Sequence, residues 1–320
     1  MKETKQMNLK HEIDIKNENL HISFSNNYQP ILTIDSGDSV QFVTPDIDCG
    51  YSYKDGKRVV YESREREKIW GHPMIGPIAI KNARPGMTLE IKINDIVPGW
   101  YGWNFSGGER NLQDSKLGNT LQEELRVDWL LDHEKNKGVC QLKNDSYSVK
   151  LSPFMGVMAT APSEPGIHST IPPRYCGGNI DCKELTKGSI LYLPIAVEGG
   201  LFSVGDGHAA QGDGEVSGTA IECPMDMVDL TFVVREDIHL RMPRAYTPSG
   251  WITFGFHEDL NEATTIALNE MLQLMQDLYQ IDKREATALA SVVVDLRITQ
   301  IVNSSKGVHA VLPHGALKRG

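Results

Sequence analysis

Residues 205–222 read Gly-Asp-Gly-His-Ala-Ala-Gln-Gly-Asp-Gly-Glu-Val-Ser-Gly-Thr-Ala-Ile-Glu, and no other stretch limits the fold so tightly. Glycine and small residues leave little to bury, yet Asp206, His208, Asp213, Glu215 and Glu222 are all ionisable. Such a segment takes a fixed shape only if its neighbours supply the core. Ile190–Leu193 and Leu201–Val204 are apolar and strand-sized, and Val216–Ile221 reads as a further strand. Gln211–Gly214 has the chemistry of a hairpin turn. A two-residue loop there pairs odd with even positions. Asp206, His208 and Glu215 then project from one face and Glu222 from the other, because side chains alternate. A three-residue loop reverses both placements.

Two carboxylates and an imidazole on one face suit a divalent metal with a base beside it. Zinc accepts His nitrogen and carboxylate oxygen, and its catalytic sites keep one position open for water. Such a metal lowers the pKa of bound water from near 16 toward about 7. The expectation is that Asp206 and His208 are metal ligands. Glu215 is then the catalytic base that takes the water's proton and returns it to the leaving group. The competing reading is a solvated hairpin tip, which has less need of so many glycines. Glycine lets a backbone approach a ligand or another strand closely.

The formal charge of −10 argues against nucleic acid and anionic membranes, which both demand clustered Lys and Arg. The longest apolar runs are strand-sized, so no membrane span is expected. Met1–Gln6 lacks the apolar stretch of a signal peptide. Five cysteines, an odd number without a short ligand pair, fit a reduced setting. The expected location is therefore cytoplasmic.

The first two-thirds of the chain is short apolar runs separated by glycine and proline turns. Ser36–Phe42, Pro85–Ile91 and Lys187–Leu193 each place a glycine before a strand-like run, and His72–Ile78 is echoed by Ser152–Met158. This texture predicts a mainly β fold, a jelly-roll-like β-sandwich over 1–250 that carries the site. An α+β region over 251–320 is expected to pack on it. There Ala263, Ala267, Met271, Leu274 and Leu278 recur at helical spacing, and Asp282-Lys-Arg-Glu285 is a capping box opening a second helix. Asp295–Val302 then returns to the sheet.

Further candidates lie outside the signature. Asp46 and Asp48 follow a strand at i, i+2 and can supply a metal or simply make a turn. His72 precedes Pro73 and is held extended, which presents an imidazole well. Asp181 ends Gly177-Gly-Asn-Ile-Asp181, where glycines again clear space, within the irregular segment 161–187. No Gly-x-Ser-x-Gly elbow, phosphate loop or dinucleotide fingerprint is present. Activated water is thus the better nucleophile than any cysteine.

Residues 205–222 resemble the signature of the acetamidase/formamidase family almost residue for residue. Gly177–Asp181 resembles that family's Gly-Gly-Asn-Met-Asp element, with Ile180 for Met. His72–Pro77 resembles His-Pro-Leu-Thr-Gly-Pro, with departures at Met74 and Ile75, and Pro85–Glu90 resembles Pro-Gly-Asp-Thr-Leu, with Met87 for Asp. The likeness covers roughly residues 10–315. It implies a metal-dependent hydrolase of a small linear amide such as formamide or acetamide, with zinc as the expected metal and calcium the alternative. It favours Asp48 as a further ligand, and places His72, Asp181 and Glu222 in substrate binding or behind the ligands. Partners are expected to be a small amide and further copies of the chain, as a homodimer or larger homo-oligomer. Two other readings stand beside it: a cyclic amide (lactam) hydrolase with the same site, and a non-catalytic module that binds a small ligand.

Overall fold

The glycine-led runs become the strands of a large sheet in the computed structural model, which describes residues 8–65, 71–108, 116–119 and 123–318. Met1–Gln6, on which the absence of a leader was read, lies outside the described residues. The sheet has nine strands, ordered Lys10–Ile13, Ser39–Thr44, Met225–Arg235, Thr88–Pro98, Ile190–Pro194, Arg244–Thr247, Gly250–His257, Lys306–Pro313 and Asp295–Gln300. Ser39–Thr44 shows why such runs are strands. Val40, Phe42 and Thr44 are buried while Ser39, Gln41 and Val43 are only half-buried, the period-two signature of one inward face.

A second sheet of six strands packs against it. Its order is Gly177–Asn179, Phe154–Ala159, Phe202–His208, Met74–Ile80 and Leu20–His21, with Leu32–Ile34 pairing in parallel on Met74–Ile80. Phe202 on this sheet meets Phe232 on the nine-stranded one, ring centroids 4.9 Å apart and edge-on. One continuous apolar core, including Phe42, Ile75, Ile78, Ile91 and Val204, fills the space between them. The echo between His72–Ile78 and Ser152–Met158 has a structural counterpart, since their strands flank Phe202–His208 on either side. A separate four-stranded meander, Tyr101–Ser106 through Asp145–Lys150, stands beside this pair of sheets.

The protein is therefore mainly β, with two long α-helices, Leu260–Tyr279 and Lys283–Val293, near the C-terminus among the described residues. The jelly-roll expectation is not met in detail. A jelly roll has eight strands in two sheets, whereas these facing sheets have nine and six and include parallel pairs. The C-terminal strands extend the nine-stranded sheet, and the helices Leu260–Tyr279 and Lys283–Val293 cover its outer face. Ala263, Ala267, Met271 and Leu274 are buried as their spacing predicts, together with Leu272 and Met275. Leu278 is 44% exposed, one turn past the packed part of the helix. Asp282 and Glu285 form the reciprocal capping box. No helix among the described residues is long and apolar enough to cross a membrane.

Candidate active site

The site is built at the centre of the six-stranded sheet. Phe154 is opposed to His208, Met155 to Gly207 and Val157 to Gly205, which leaves Gly156 opposite Asp206. Asp206 takes a left-handed φ of +61°, which turns it out of regular strand geometry. A Cβ on Gly156 would lie 2.4 Å from Asp206 Oδ2, 2.7 Å from Asp181 Oδ1 and 2.9 Å from His208 Cε1. Glycine here makes the space in which three site residues meet. The same glycine's carbonyl accepts the amides of Ile180 and Asp181, fixing the segment that delivers the Asp181 carboxyl.

His208 is set by this sheet and by the chain that follows. The segment turns back on itself through a loop over 211–220 and re-pairs at His208–Glu222, with Ala209 N–H donating to Ile221 O and Cys223 N–H to Gly207 O. This corrects the hairpin expectation in two respects. Residues 212–213 are not a two-residue turn, and Val216–Ile221 is not a strand; Val216 is 63% exposed. The apolar pattern there is too interrupted by Ser217 and Gly218 to hold a ladder. The register pairs even with even positions, so Glu222 shares a face with His208 instead of lying opposite it.

Glu215 still reaches the cluster, but from the loop and not by strand alternation. Its φ is +48°, and Asp181 has φ +54°, so three carboxylate residues of the site sit in the left-handed region. Such backbone costs about 1–3 kcal/mol per residue and collects at functional sites.

Five residues converge: Asp181, Asp206, His208, Glu215 and Glu222, all buried. His208 Nε2 lies 3.3 Å from Asp206 Oδ1 and 3.3 Å from Glu222 Oε2. His208 also groups with Asp181 and Glu215, each residue offering a ligand atom within 4.8 Å of the others. Phe154 packs edge-on against the imidazole with centroids 5.0 Å apart and holds the ring.

Burial works against every charge here, and the outcome depends on neighbours. Burial alone would raise Asp206, but His208 and then His72 outweigh it and hold this carboxyl at about 2. Burial pushes His208 down, yet Glu222 and Asp206 bring it well above its ordinary value. Asp181 is driven far up by burial and then by Asp206, and Glu215 by burial and then by Asp181. Glu222 is raised as well, by burial first. One imidazole therefore faces four carboxyls, three of which burial pushes up.

Both oxygens of Asp181, Oε2 of Glu222 and Nδ1 of His208 are buried and make no hydrogen bond. Orphaned buried acceptors are rare in native proteins, and an ion is one of the few things that satisfies them. The 3.3 Å separations match the edge of a tetrahedron with metal–ligand bonds of about 2.0–2.1 Å. The donor set thus fits a divalent cation.

Other expected residues fall at different distances. Asp48 is exposed on the turn before Gly50–Ser52 and is not among the residues whose ligand atoms converge. Its neighbour Asp46 is buried but committed elsewhere. It accepts the amides of Asp48 and Gly50 and a two-pronged ion pair from Arg58. His72 is half-buried with its amide on Thr170 Oγ1, near enough to act on the Asp206 charge. Trp103, in the Trp100–Trp103 run, exchanges both backbone hydrogen bonds with Glu222 and so positions it.

A cleft of about 440 Å³ opens beside the cluster between the loop and the four-stranded meander, walled by Asn104, Trp129, Gln211, Thr219 and Ile221. Glu215 is the cluster member that lines it. Sequence reasoning missed Gly156 and Phe154. The signal was present in the echo of His72–Ile78, whose partner strand carries both.

Residues 166–317 match the model of the Acetamidase/Formamidase family, and these residues include Asp181 and the whole 205–222 segment. This stretch, just under half of the chain, resembles the acetamidase/formamidase family. Over 48 residues it is 56% identical to the formamidase of Methylophilus methylotrophus, covering 15% of this chain and 12% of that one. A Schizosaccharomyces pombe relative that carries a provisional formamidase name is 27% identical over 238 residues, 58% of this chain and 56% of its own. The chain thus spans about half the length of that curated relative. The solved acetamidase of Bacillus halodurans superposes with a TM-score of 0.79 at 27% identity, covering 94% of this chain and 97% of that one. The five-residue cluster beside the cleft, which lies within the matched residues, is the candidate active site.

Proposed function

We propose that this protein hydrolyses a small linear amide of the formamide or acetamide kind, giving a carboxylate and ammonia with water as nucleophile. The observation that carries the reading is the convergence of Asp181, Asp206, His208, Glu215 and Glu222, with unsatisfied buried acceptors, beside a cleft that Glu215 lines. The family and the names of its similar members support amide hydrolysis.

Asp206, His208 and Glu222 would hold a divalent cation, with Asp181 and Glu215 also within reach of the imidazole. A nitrogen ligand at the centre of the group favours zinc over calcium, which prefers oxygen alone. When bound, the cation polarises the amide carbonyl and acidifies water. Glu215 does the proton work. Lining the cleft, it can accept the proton of the attacking water and pass it to the amide nitrogen, which leaves only once protonated. Burial and then Asp181 raise its carboxyl above the ordinary carboxylate range. Phe154 and Gly156 keep the imidazole and carboxylates in place.

Ammonia release from formamide, acetamide and a cyclic amide tests the reading, with protein as purified, after chelation and after zinc is restored. Release from the linear amides that chelation abolishes and zinc restores is the expected result. Absence of ammonia from every amide with zinc-replete protein would refute it and leave the binding-module reading. Turnover of the cyclic amide alone would move the assignment to lactam opening.

A further inference from the structure

A second group of metal-binding side chains lies outside the active-site cluster. Asp181 turns the chain and sends its own carboxyl into the site, while the next residue, Cys182, sends its thiol to Glu184. Facing them are the strands Asp295–Gln300 and Lys306–Pro313. Arg297 and His309 are directly paired there, so both side chains rise from one face of the sheet. The alternate residues Val308 and Ala310 pack under the helices on the other face.

Glu184 divides its oxygens between these partners. Oε1 accepts from Arg297 Nη1 at 3.1 Å, while Oε2 accepts from the Cys182 thiol at 3.2 Å and lies 3.6 Å from His309 Nε2. His309 and Cys182 are fully buried. His309 Nδ1 is 2.7 Å from Thr299 Oγ1, but Nε2 makes no hydrogen bond. A ligand atom from each of Cys182, Glu184 and His309 lies within 4.8 Å of the other two.

We propose that Cys182, Glu184 and His309 form a second metal site, distinct from the active-site cluster, for a thiophilic divalent cation such as zinc. Sulfur, imidazole nitrogen and carboxylate oxygen are together a zinc donor set, and the sulfur disfavours magnesium and calcium. The buried, unbonded Nε2 is the group that most needs a partner. Its ring is already oriented by Thr299, and Glu184 by Arg297, the outer hydrogen bonds that metal ligands characteristically have. On binding, the cation replaces the thiol proton now shared with Glu184, and that proton leaves to solvent.

None of the three residues lines the cleft, so the ion has a structural role. It ties the segment beginning at Asp181 to the two C-terminal strands, and so fixes a wall of the active site from behind.

Cobalt(II) added to metal-stripped protein tests this directly. Cobalt held by Cys182 should give a near-ultraviolet thiolate charge-transfer band. The active-site cluster contains no sulfur and cannot produce one. The band should remain in His208→Ala and in Cys223→Ala, and disappear in Cys182→Ala with loss of one bound metal per chain. His309→Gln keeps the thiol, so if Cys182→Ala does not fold, this variant must weaken cobalt binding at least 10-fold as read by the band. Cobalt bound without a thiolate band, or a band unchanged in Cys182→Ala or His309→Gln, overturns the site.

Discussion

Glu222 Oε2 and His208 Nε2 lie 3.3 Å apart because their residues are directly opposed across an antiparallel bridge. That bridge carries the chain back from the loop that delivers Glu215, so one pairing sets three of the five converging side chains. The cluster is a consequence of register. It does not depend on the turn at Gly212–Asp213, from which the sequence pattern had seemed to derive it.

Replacing His208 removes the ligand common to both converging groups. His208→Ala is expected to lose the cluster's divalent metal while keeping a folded β structure. Elemental analysis of the purified variant beside the parent, with circular dichroism as the fold control, is the check. Undiminished metal content in a folded variant would rule out His208 as a ligand.

Glu215→Gln keeps shape but removes the proton acceptor in the cleft. Turnover of acetamide should drop about 10²–10⁴-fold, with metal content nearly unchanged. Near-parental turnover would transfer the role to another carboxylate, Asp181 first.

Gly156→Ala puts a methyl group 2.4 Å from Asp206 Oδ2 and 2.7 Å from Asp181 Oδ1. Displacing catalytic groups by about 1 Å costs roughly 10² in rate, and the overpacking itself about 1–3 kcal/mol in stability. Steady-state kinetics and urea unfolding should report both. Full activity in this variant would mean that the reaction takes place elsewhere.

Asp181 is buried beside other carboxyls with neither oxygen hydrogen-bonded. Asp181→Asn removes that repulsion and retains a residue tolerant of φ +54°. The metal-free variant should therefore be more stable than the metal-free parent by about 1–2 kcal/mol, and less active when metal is restored. Urea midpoints of the stripped proteins decide it, and an unchanged or lower midpoint sinks the idea.

His21 is fully buried, with Nδ1 donating to Ser23 O at 2.7 Å and Nε2 accepting from Ser203 Oγ at 3.0 Å. Burial, the largest influence, lowers its pKa from 6.5 to about 4. Between those values the unfolded chain binds a proton that the folded one does not, so this contribution is full above about 6.5 and declines as the pH falls toward 4. The wild-type stability advantage over His21→Gln should shrink across that window. An advantage independent of pH from 7 to 4 would contradict it.

Local pattern was enough for much of this. The alternation in Ser39–Thr44, the glycine ahead of Ser39–Thr44, Thr88–Pro98 and Ile190–Pro194, and the capping box at Asp282 were legible because they rest on dihedral preference and period. Leu278 and Val216 were misread because burial at a helix end or in a loop depends on what packs nearby, which period alone does not contain. Asp48 was favoured by the family resemblance, but it is exposed on its turn, and Asp46 is the buried one of the pair, held by Arg58.

The sequence by itself determined that residues 205–222 concentrate ionisable groups among glycines, that the chain is mainly β with C-terminal helices, and which residue types could act. Only the tertiary structure decided which of them meet. Three left-handed residues, Asp181, Asp206 and Glu215, leave regular geometry where alternation no longer predicts direction. Gly156 and Asp181 come from strands and loops distant in sequence, so their approach depends on sheet order and on the packing that holds strained backbone in place.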